Sequence, residues 1–358
     1  MEYILMNTNR PILSFDDEYS YLNVIDNDFL PYSIKDYVIS TDRADSIRTA
    51  IKHLSALKDF LIARTLNLSR EHAKVILNIA ALPQSLKPSE KLKIVYACRG
   101  LNMEDNFWIK TEKEKLTFDD INLRNKHLSE SSYDIAILGR HISATLSSLE
   151  TDLMLGGMFP KYWHRNGKII ELWKTDKSGG LNCECEVKAS QLLNEAKIPC
   201  IIYRKAKRDG LVFSVCDCMT DDDTSLVKAT DIADWCRHTN KDFSEFLKNY
   251  EKSFANMVIA DFVLGNTDRH MENWGFLINN STNKIISLAP LYDLNQALVI
   301  DTMGNSNALG ELIYEPCNIS FNEAAEKYAP LSDIEFGDLP TESKKRWDTV
   351  ISTRPYKF

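Results

Sequence analysis

Apolar residues recur at three- and four-residue steps along Ile47, Ile51, Leu54, Leu57 and Leu61. That spacing gathers one face of an α-helix against a core, and the helical pattern begins at Asp45. The same periodicity predicts a helix over 70–82, with Ala73, Ile76, Leu77 and Ala80 on one side. A third helix, over about 89–99, stops at Gly100. Ahead of these, residues 1–40 hold short strand-like runs at 3–6 and 37–40, broken by Asn, Asp and Pro. The first third of the chain reads as a packing unit rather than as a source of chemistry.

After a polar stretch at 111–132, the pattern predicts a helix over 134–149. The run Leu155-Gly156-Gly157-Met158-Phe159-Pro160-Lys161 then leads into a strand at 162–164. Asn166-Gly167 suits a two-residue hairpin turn, since both residues tolerate positive φ, and the return strand is 169–174. A helix over 184–196 follows, and a second hairpin pairs 201–204 with 211–215 around Asp209-Gly210. This β-β-α-β-β order predicts a small lobe with one helix. In the second half, Phe246, Leu247, Tyr250, Phe254, Met257, Val258 and Phe262 form an apolar stripe that ends at Gly265, a helix C-cap. The segment 266–273 comes next, then a hairpin of 274–278 and 284–288 that runs into Ala289-Pro290-Leu291-Tyr292-Asp293.

Length and composition add mainly exclusions. A chain of 358 residues exceeds one small core and predicts two lobes or domains. Hydrophobic residues at 44% and charged residues at 26% are ordinary for a globular protein. A formal charge of -8 with no long Lys/Arg run argues against a direct grip on DNA or RNA phosphates, although a partner could bring the chain to nucleic acid. No stretch approaches the ~20 apolar residues of a membrane span, and no export signal is visible, so a cytoplasmic protein is expected. The eight Cys include two C-x-C pairs, Cys183/Cys185 and Cys216/Cys218. Structural zinc sites more often use wider gaps between paired ligands, so reduced thiols are expected instead.

The segment Asp268-x-x-x-x-Asn273 offers a carboxylate and an amide oxygen in one short loop, and Asp293 returns after a hairpin. Phosphoryl transfer needs phosphates cradled, divalent metal held and an acceptor hydroxyl aimed in line. Mg²⁺ takes hard oxygen ligands, and the protein-kinase catalytic loop has the same Asp-to-Asn spacing, with a second metal-binding Asp after a β-hairpin. Singly, each of these residues is an ordinary turn former. Their joint order points to a metal–phosphate centre.

Upstream, Gly156-Gly157 lets backbone N–H groups approach phosphates, a weak signal alone. Lys174 ends a strand at the parity of Ile170 and Leu172, so its ammonium points inward and needs a counter-ion or phosphate. Glu186 lies on the line of Ala189, Ser190 and Leu193 and is chosen as that counter-ion over Glu184, which faces Lys188 and Gln191. His270 stiffens the loop or touches phosphate. Met271 and Trp274 read as packing residues.

Together these residues resemble the HipA-like serine/threonine kinases. The resemblance is carried by Gly-Gly-x-x-Pro-Lys at Gly156 to Lys161, Lys174, Gly-Asn-Thr-Asp ending at Asp268, His270-x-x-Asn273 and Ala-Pro-Leu-Tyr-Asp ending at Asp293. It covers roughly residues 135–295. Phe107-Trp108-Ile109-Lys110 and Phe118-Asp119-Asp120-Ile121-Asn122 resemble a Firmicute- and phage-type subgroup. The resemblance implies an α+β, two-lobed protein-kinase-like fold. Residues 1–132 would be an N-terminal accessory region, 133–219 a β-rich small lobe and 220–358 a mostly helical C-lobe.

It further implies ATP and Mg²⁺, with Asp268 as base toward a protein Ser or Thr hydroxyl and Asn273 and Asp293 as metal ligands. Lys174 would contact the α/β-phosphates, Gly156, Gly157 and Lys161 would cover the nucleotide, and main chain near Cys216 and Cys218 would meet adenine. Toxin members of the family are held by a DNA-binding antitoxin partner. Met154 stands where family toxins carry a self-phosphorylated Ser, with Thr151 and Ser148 nearby but out of register, so self-inactivation by that route is not implied. The first third also departs from the best-known toxins. The Asp268-Arg269-His270-x-x-Asn273 run is similar, too, to the catalytic loop of phosphatidylinositol kinases, which makes a lipid or small-molecule acceptor the alternative. A rival of another class is a nucleotide-binding pseudokinase scaffold.

Overall fold

Strands β1 (Glu2–Asn7) and β2 (Arg10–Asp16) form a hairpin that β3 (Leu22–Val24) and β4 (Phe107–Thr111) widen into the antiparallel order β3-β2-β1-β4. The structure, a computed structural model, describes residues 1–354 except 17, 19–20, 41–46, 86 and 177, with backbone alone at 47–50. Helices α1 (Ile47–Ala63) and α3 (Pro88–Ala97) cover the sheet, burying Leu54, Leu57, Leu61, Leu92 and Val95 against Leu5, Ile12, Leu13 and Phe15. The expected helix start at Asp45 lies outside the described residues. Ile51, expected on the buried stripe, is 61% exposed. At about 100° per residue it sits roughly a quarter-turn from the centre of Leu54, Leu57 and Leu61.

The strand expected at 37–40 is absent. Turn bonds from Ile34 and Lys35 N–H to Pro31 C=O and from Val38 N–H to Ile34 C=O take the backbone instead. Helix α2 is confined to Ala73–Ile79, because His72 at its N-cap has φ 61. The one-turn α4 (Phe118–Ile121) is closed by a Thr117/Asp120 capping box. The single helix expected over 134–149 is two pieces, a π-turn at Tyr133–Ile137 and α5 (Leu146–Leu153). Gly139 at φ 64 leaves the helical region between them, and Thr145 starts α5 with a new cap. These pieces share one core with Leu66, Ile76 and Leu77 and with Tyr162, Phe213 and Val215, which ties the first third of the chain to the small lobe.

That lobe is the sheet β5 (Lys161–Asn166), β6 (Ile169–Thr175), β7 (Arg204–Arg208) and β8 (Leu211–Asp217), in the order β5-β6-β8-β7, backed by α6 (Leu181–Glu195). The first turn falls on Gly167 and Lys168, since Asn166 pairs with Ile169. The edge strand begins at Arg204 rather than at 201, and its Lys and Arg side chains suit an exposed edge. Residues 199–201 instead cross to the larger lobe, where Leu291 N–H bonds Pro199 C=O and Ile201 N–H bonds Leu291 C=O.

In the larger lobe, β9 (Thr224–Lys228), which sequence reading missed, joins β10 (Gly275–Asn279) and β11 (Lys284–Leu288) in the order β11-β10-β9. Helices α7 (Ala229–His238), α8 (Phe243–Leu247) and α9 (Glu251–Leu264) pack beside them. The stripe expected as one helix is split between α8 and α9 by a 3-10 turn at Lys248–Tyr250, and Gly265 at φ 62 caps α9 as expected. The architecture is α+β with two lobes. Among the described residues, no helix is long and apolar enough to cross a membrane.

Candidate active site

Lys174, Asp268, Asn273 and Asp293 come from three separate stretches of chain and line one inter-lobe cleft of about 820 Å³. Gly156, Gly157 and Lys161 line it from the small lobe, Cys216 and Cys218 from the end of β8, and His270 from the larger lobe. The sequence-predicted residues therefore meet, except that Glu186 stands behind Lys174 as a fully buried group. The four C-x-C thiols are free, with Cys183 and Cys185 on α6 and Cys216 on β8. Among the described residues, no three His, Cys, Asp or Glu side chains gather to hold a metal.

The parity of β6 turns Lys174 inward, where its Nζ donates to Glu186 Oε1 at 2.6 Å and to Asp293 Oδ1 at 2.9 Å. Glu186 Oε2 accepts from Ser214 Oγ at 2.6 Å, and Oε1 also accepts the Leu294 N–H at 3.2 Å. Both buried charges, Lys174 and Glu186, thus have partners, as burial demands. Burial alone would pull the Lys174 ammonium down, but Asp293 and Glu186 outweigh it and hold the group above its usual value. Burial pushes the Glu186 carboxyl up, opposed by Lys174. Asp293 is held well below the carboxylate range: burial works against this, but Lys174 and Lys161 overcome it. Glu184 pairs with Lys205 at the surface instead.

Asp293 sits at φ 54, an uncommon backbone for a non-glycine residue, and Asn295 Nδ2 donates to its Oδ1 at 2.6 Å. Asn273 turns its Nδ2 to the Asp268 carbonyl, which leaves its buried Oδ1 without a hydrogen-bond donor. An orphaned amide oxygen beside the same cleft as a carboxylate fits a hard divalent cation. Burial raises the Asp268 carboxyl, with repulsion from Asp293 adding to it. His270 Nδ1 accepts the Glu272 N–H at 3.2 Å, a loop-stiffening contact, while its ring also lines the cleft.

The scaffold of this loop does not show in the motif spacing. Arg269 is buried and donates Nε to Asp261 Oδ2 at 2.9 Å and Nη2 to Asp261 Oδ1 at 3.1 Å. Its Nη1 reaches the carbonyls of Asn273 at 2.6 Å and Tyr292 at 2.8 Å, so one guanidinium joins the loop to the stretch before Asp293. Tyr314 and Asn266 also bond Asp261, at 2.8 Å each. A signal existed: Asp261 is an acid inside the apolar run of α9, and such a group must find a cation. Asn295, by contrast, left no pattern that could have found it.

The two glycines of the loop differ in the room around them. A Cβ on Gly156 would meet nothing within 4 Å, whereas one on Gly157, at φ 81, would collide with Lys161 Nζ. Burial draws the Lys161 ammonium down to about 8, despite attraction from Asp293. Arg70, also unanticipated, lies beneath this loop. It donates to the carbonyls of Asp152 at 3.3 Å, Leu155 at 3.4 Å and Lys161.

Residues 175–302 match the family model described as phosphatidylinositol 3- and 4-kinase. That segment holds Glu186, Asp268, Asn273 and Asp293. A chain from the Shewanella oneidensis MR-1 toxin–antitoxin complex of HipA, HipB and operator DNA is similar over 99% of this chain and 92% of its own, at 11% identity and TM-score 0.53. The Helicobacter pylori proinflammatory kinase CtkA is similar over 54% of this chain and 88% of its own, at 14% identity and TM-score 0.35. No curated protein matches the chain. The fold is two-lobed and kinase-like.

Proposed function

We propose that this chain is an ATP- and Mg²⁺-dependent kinase that transfers a γ-phosphate to a Ser or Thr hydroxyl of a protein. The observation that carries the reading is the shared cleft, where Asp268, Asn273 and Asp293 face the Lys174–Glu186 pair. Lys174 is placed to meet the α/β-phosphates, held by Glu186 from behind. Asp268 is the base that orients the acceptor hydroxyl and takes its proton. Asn273 and Asp293 would hold Mg²⁺, which neutralises phosphate charge when bound. Main chain near Cys216 and Cys218 would meet the adenine. We take 1–132 as the accessory region, 133–219 as the small lobe and 220–358 as the C-lobe. A cytoplasmic setting and a DNA-binding antitoxin-like partner accord with the likeness to the toxin–antitoxin complex.

A second reading, transfer to a lipid or small-molecule hydroxyl, is favoured by the family match over 175–302. Incubation with labelled ATP and Mg²⁺, alone and with lysate, separates the two by the identity of the labelled product. Label on protein Ser or Thr supports the first, label in the lipid or small-molecule fraction the second, and no label at all contradicts both.

A further inference from the structure

We infer that Arg70, outside the kinase-like lobes, is the positioning residue that sets the glycine loop for nucleotide. The inference rests on reading the cleft as a nucleotide site. Arg70 lies just ahead of α2 in the first third of the chain and is 2% exposed. Its guanidinium bonds the carbonyls of Asp152, Leu155 and Lys161. Leu155 immediately precedes Gly156, and Lys161 immediately follows Pro160, so one side chain holds both ends of the five-residue turn 156–160. Asp152, fully buried, balances the charge with its Oδ1 3.9 Å from Arg70 Nη2, and Ser132 Oγ donates to its Oδ2 at 2.6 Å.

The tip of the turn is free by comparison. Met158, in the middle of the turn, is 65% exposed. A loop whose ends are pinned loses less entropy when its tip closes over a ligand than one that must order throughout. A planar, multi-donor guanidinium suits this role, because Lys has one cationic centre and no fork to span three carbonyls. Asn67, Ser69 and Glu71 beside Arg70 line the same cleft, so the strut stands at its wall. The first third of the chain therefore sets nucleotide affinity as well as packing.

Arg70→Lys is the direct test, and Arg70→Met with Asp152→Asn is the companion that leaves no buried charge alone. Amide exchange across 154–161 in nucleotide-free protein is read first. It should rise about tenfold or more in both variants while exchange in α9 stays unchanged. In Mg²⁺-ATP turnover, KM for ATP should rise about tenfold with kcat changed less than about threefold. Unchanged loop exchange, or kcat and exchange in α9 shifting together with the loop, overturns the inference. The exchange measurement does not depend on what the cleft turns over. A wild-type protein inert toward Mg²⁺-ATP would defeat the kinase reading and leave the exchange result to decide the role of Arg70.

Discussion

Lys174 Nζ and Asp293 Oδ1 stand 2.9 Å apart, so the strand lysine of the small lobe touches the loop aspartate of the larger one. Glu186 completes the contact from behind, 2.6 Å from the same nitrogen. Three charged groups from different parts of the chain form one unit, and units of this kind respond non-additively to mutation. Lys174→Ala and Glu186→Ala should each lower turnover by about a hundredfold or more, and the double variant should be little worse than either. Steady-state kinetics on all four proteins checks this. Losses that multiply would show that the two act separately.

Asp293→Asn removes charge while keeping size. It should weaken ATP binding in Mg²⁺ by about tenfold or more and leave metal-free nucleotide binding nearly unchanged, because only the first uses the carboxylate. Titration calorimetry with and without Mg²⁺ distinguishes the cases. Equal loss in both would assign Asp293 a structural role.

Arg269 and Asp261 form a fully buried pair. Removing one partner leaves the other charge stranded, at a cost of about 3–5 kcal/mol. Arg269→Met should therefore lower the denaturation midpoint steeply, whereas surface Lys205→Ala, which breaks only the exposed pair with Glu184, should change it little. Urea unfolding followed by circular dichroism measures both.

Lys161 supplies a pH dependence. Its ammonium is drawn down to about 8, first by burial, so in the free protein it loses its proton as pH rises through that value. Phosphate binding favours the charged form, which makes nucleotide binding above pH of about 8 draw a proton from solution and weaken as pH rises. Calorimetry in buffers of different ionisation heat should detect proton uptake at high pH, and Lys161→Met should abolish it.

Much of this site was legible from residue order. Lys174 and Glu186 were placed by strand parity and helical register, both local rules, and the hairpin at Asp209-Gly210 follows from turn chemistry. What escaped depended on long-range pairing. Strand β9 shows little by itself and exists because β10 offers it an edge. The break near Gly139 is a tertiary effect too, since a Cβ there would strike the ring of His72, far away in sequence. Arg70 and Arg269 reach their carbonyls through the folded chain, so their roles appear only once the segments meet.

Asp268 carries the central claim. Phosphate transfer from labelled ATP in Mg²⁺, measured for wild type and Asp268→Ala alongside ATP affinity, tests it most directly. The account predicts that transfer falls by about a hundredfold or more while ATP affinity holds within about threefold, since a positioned base acts on the acceptor and not on nucleotide binding. Transfer at the wild-type rate in Asp268→Ala would contradict it.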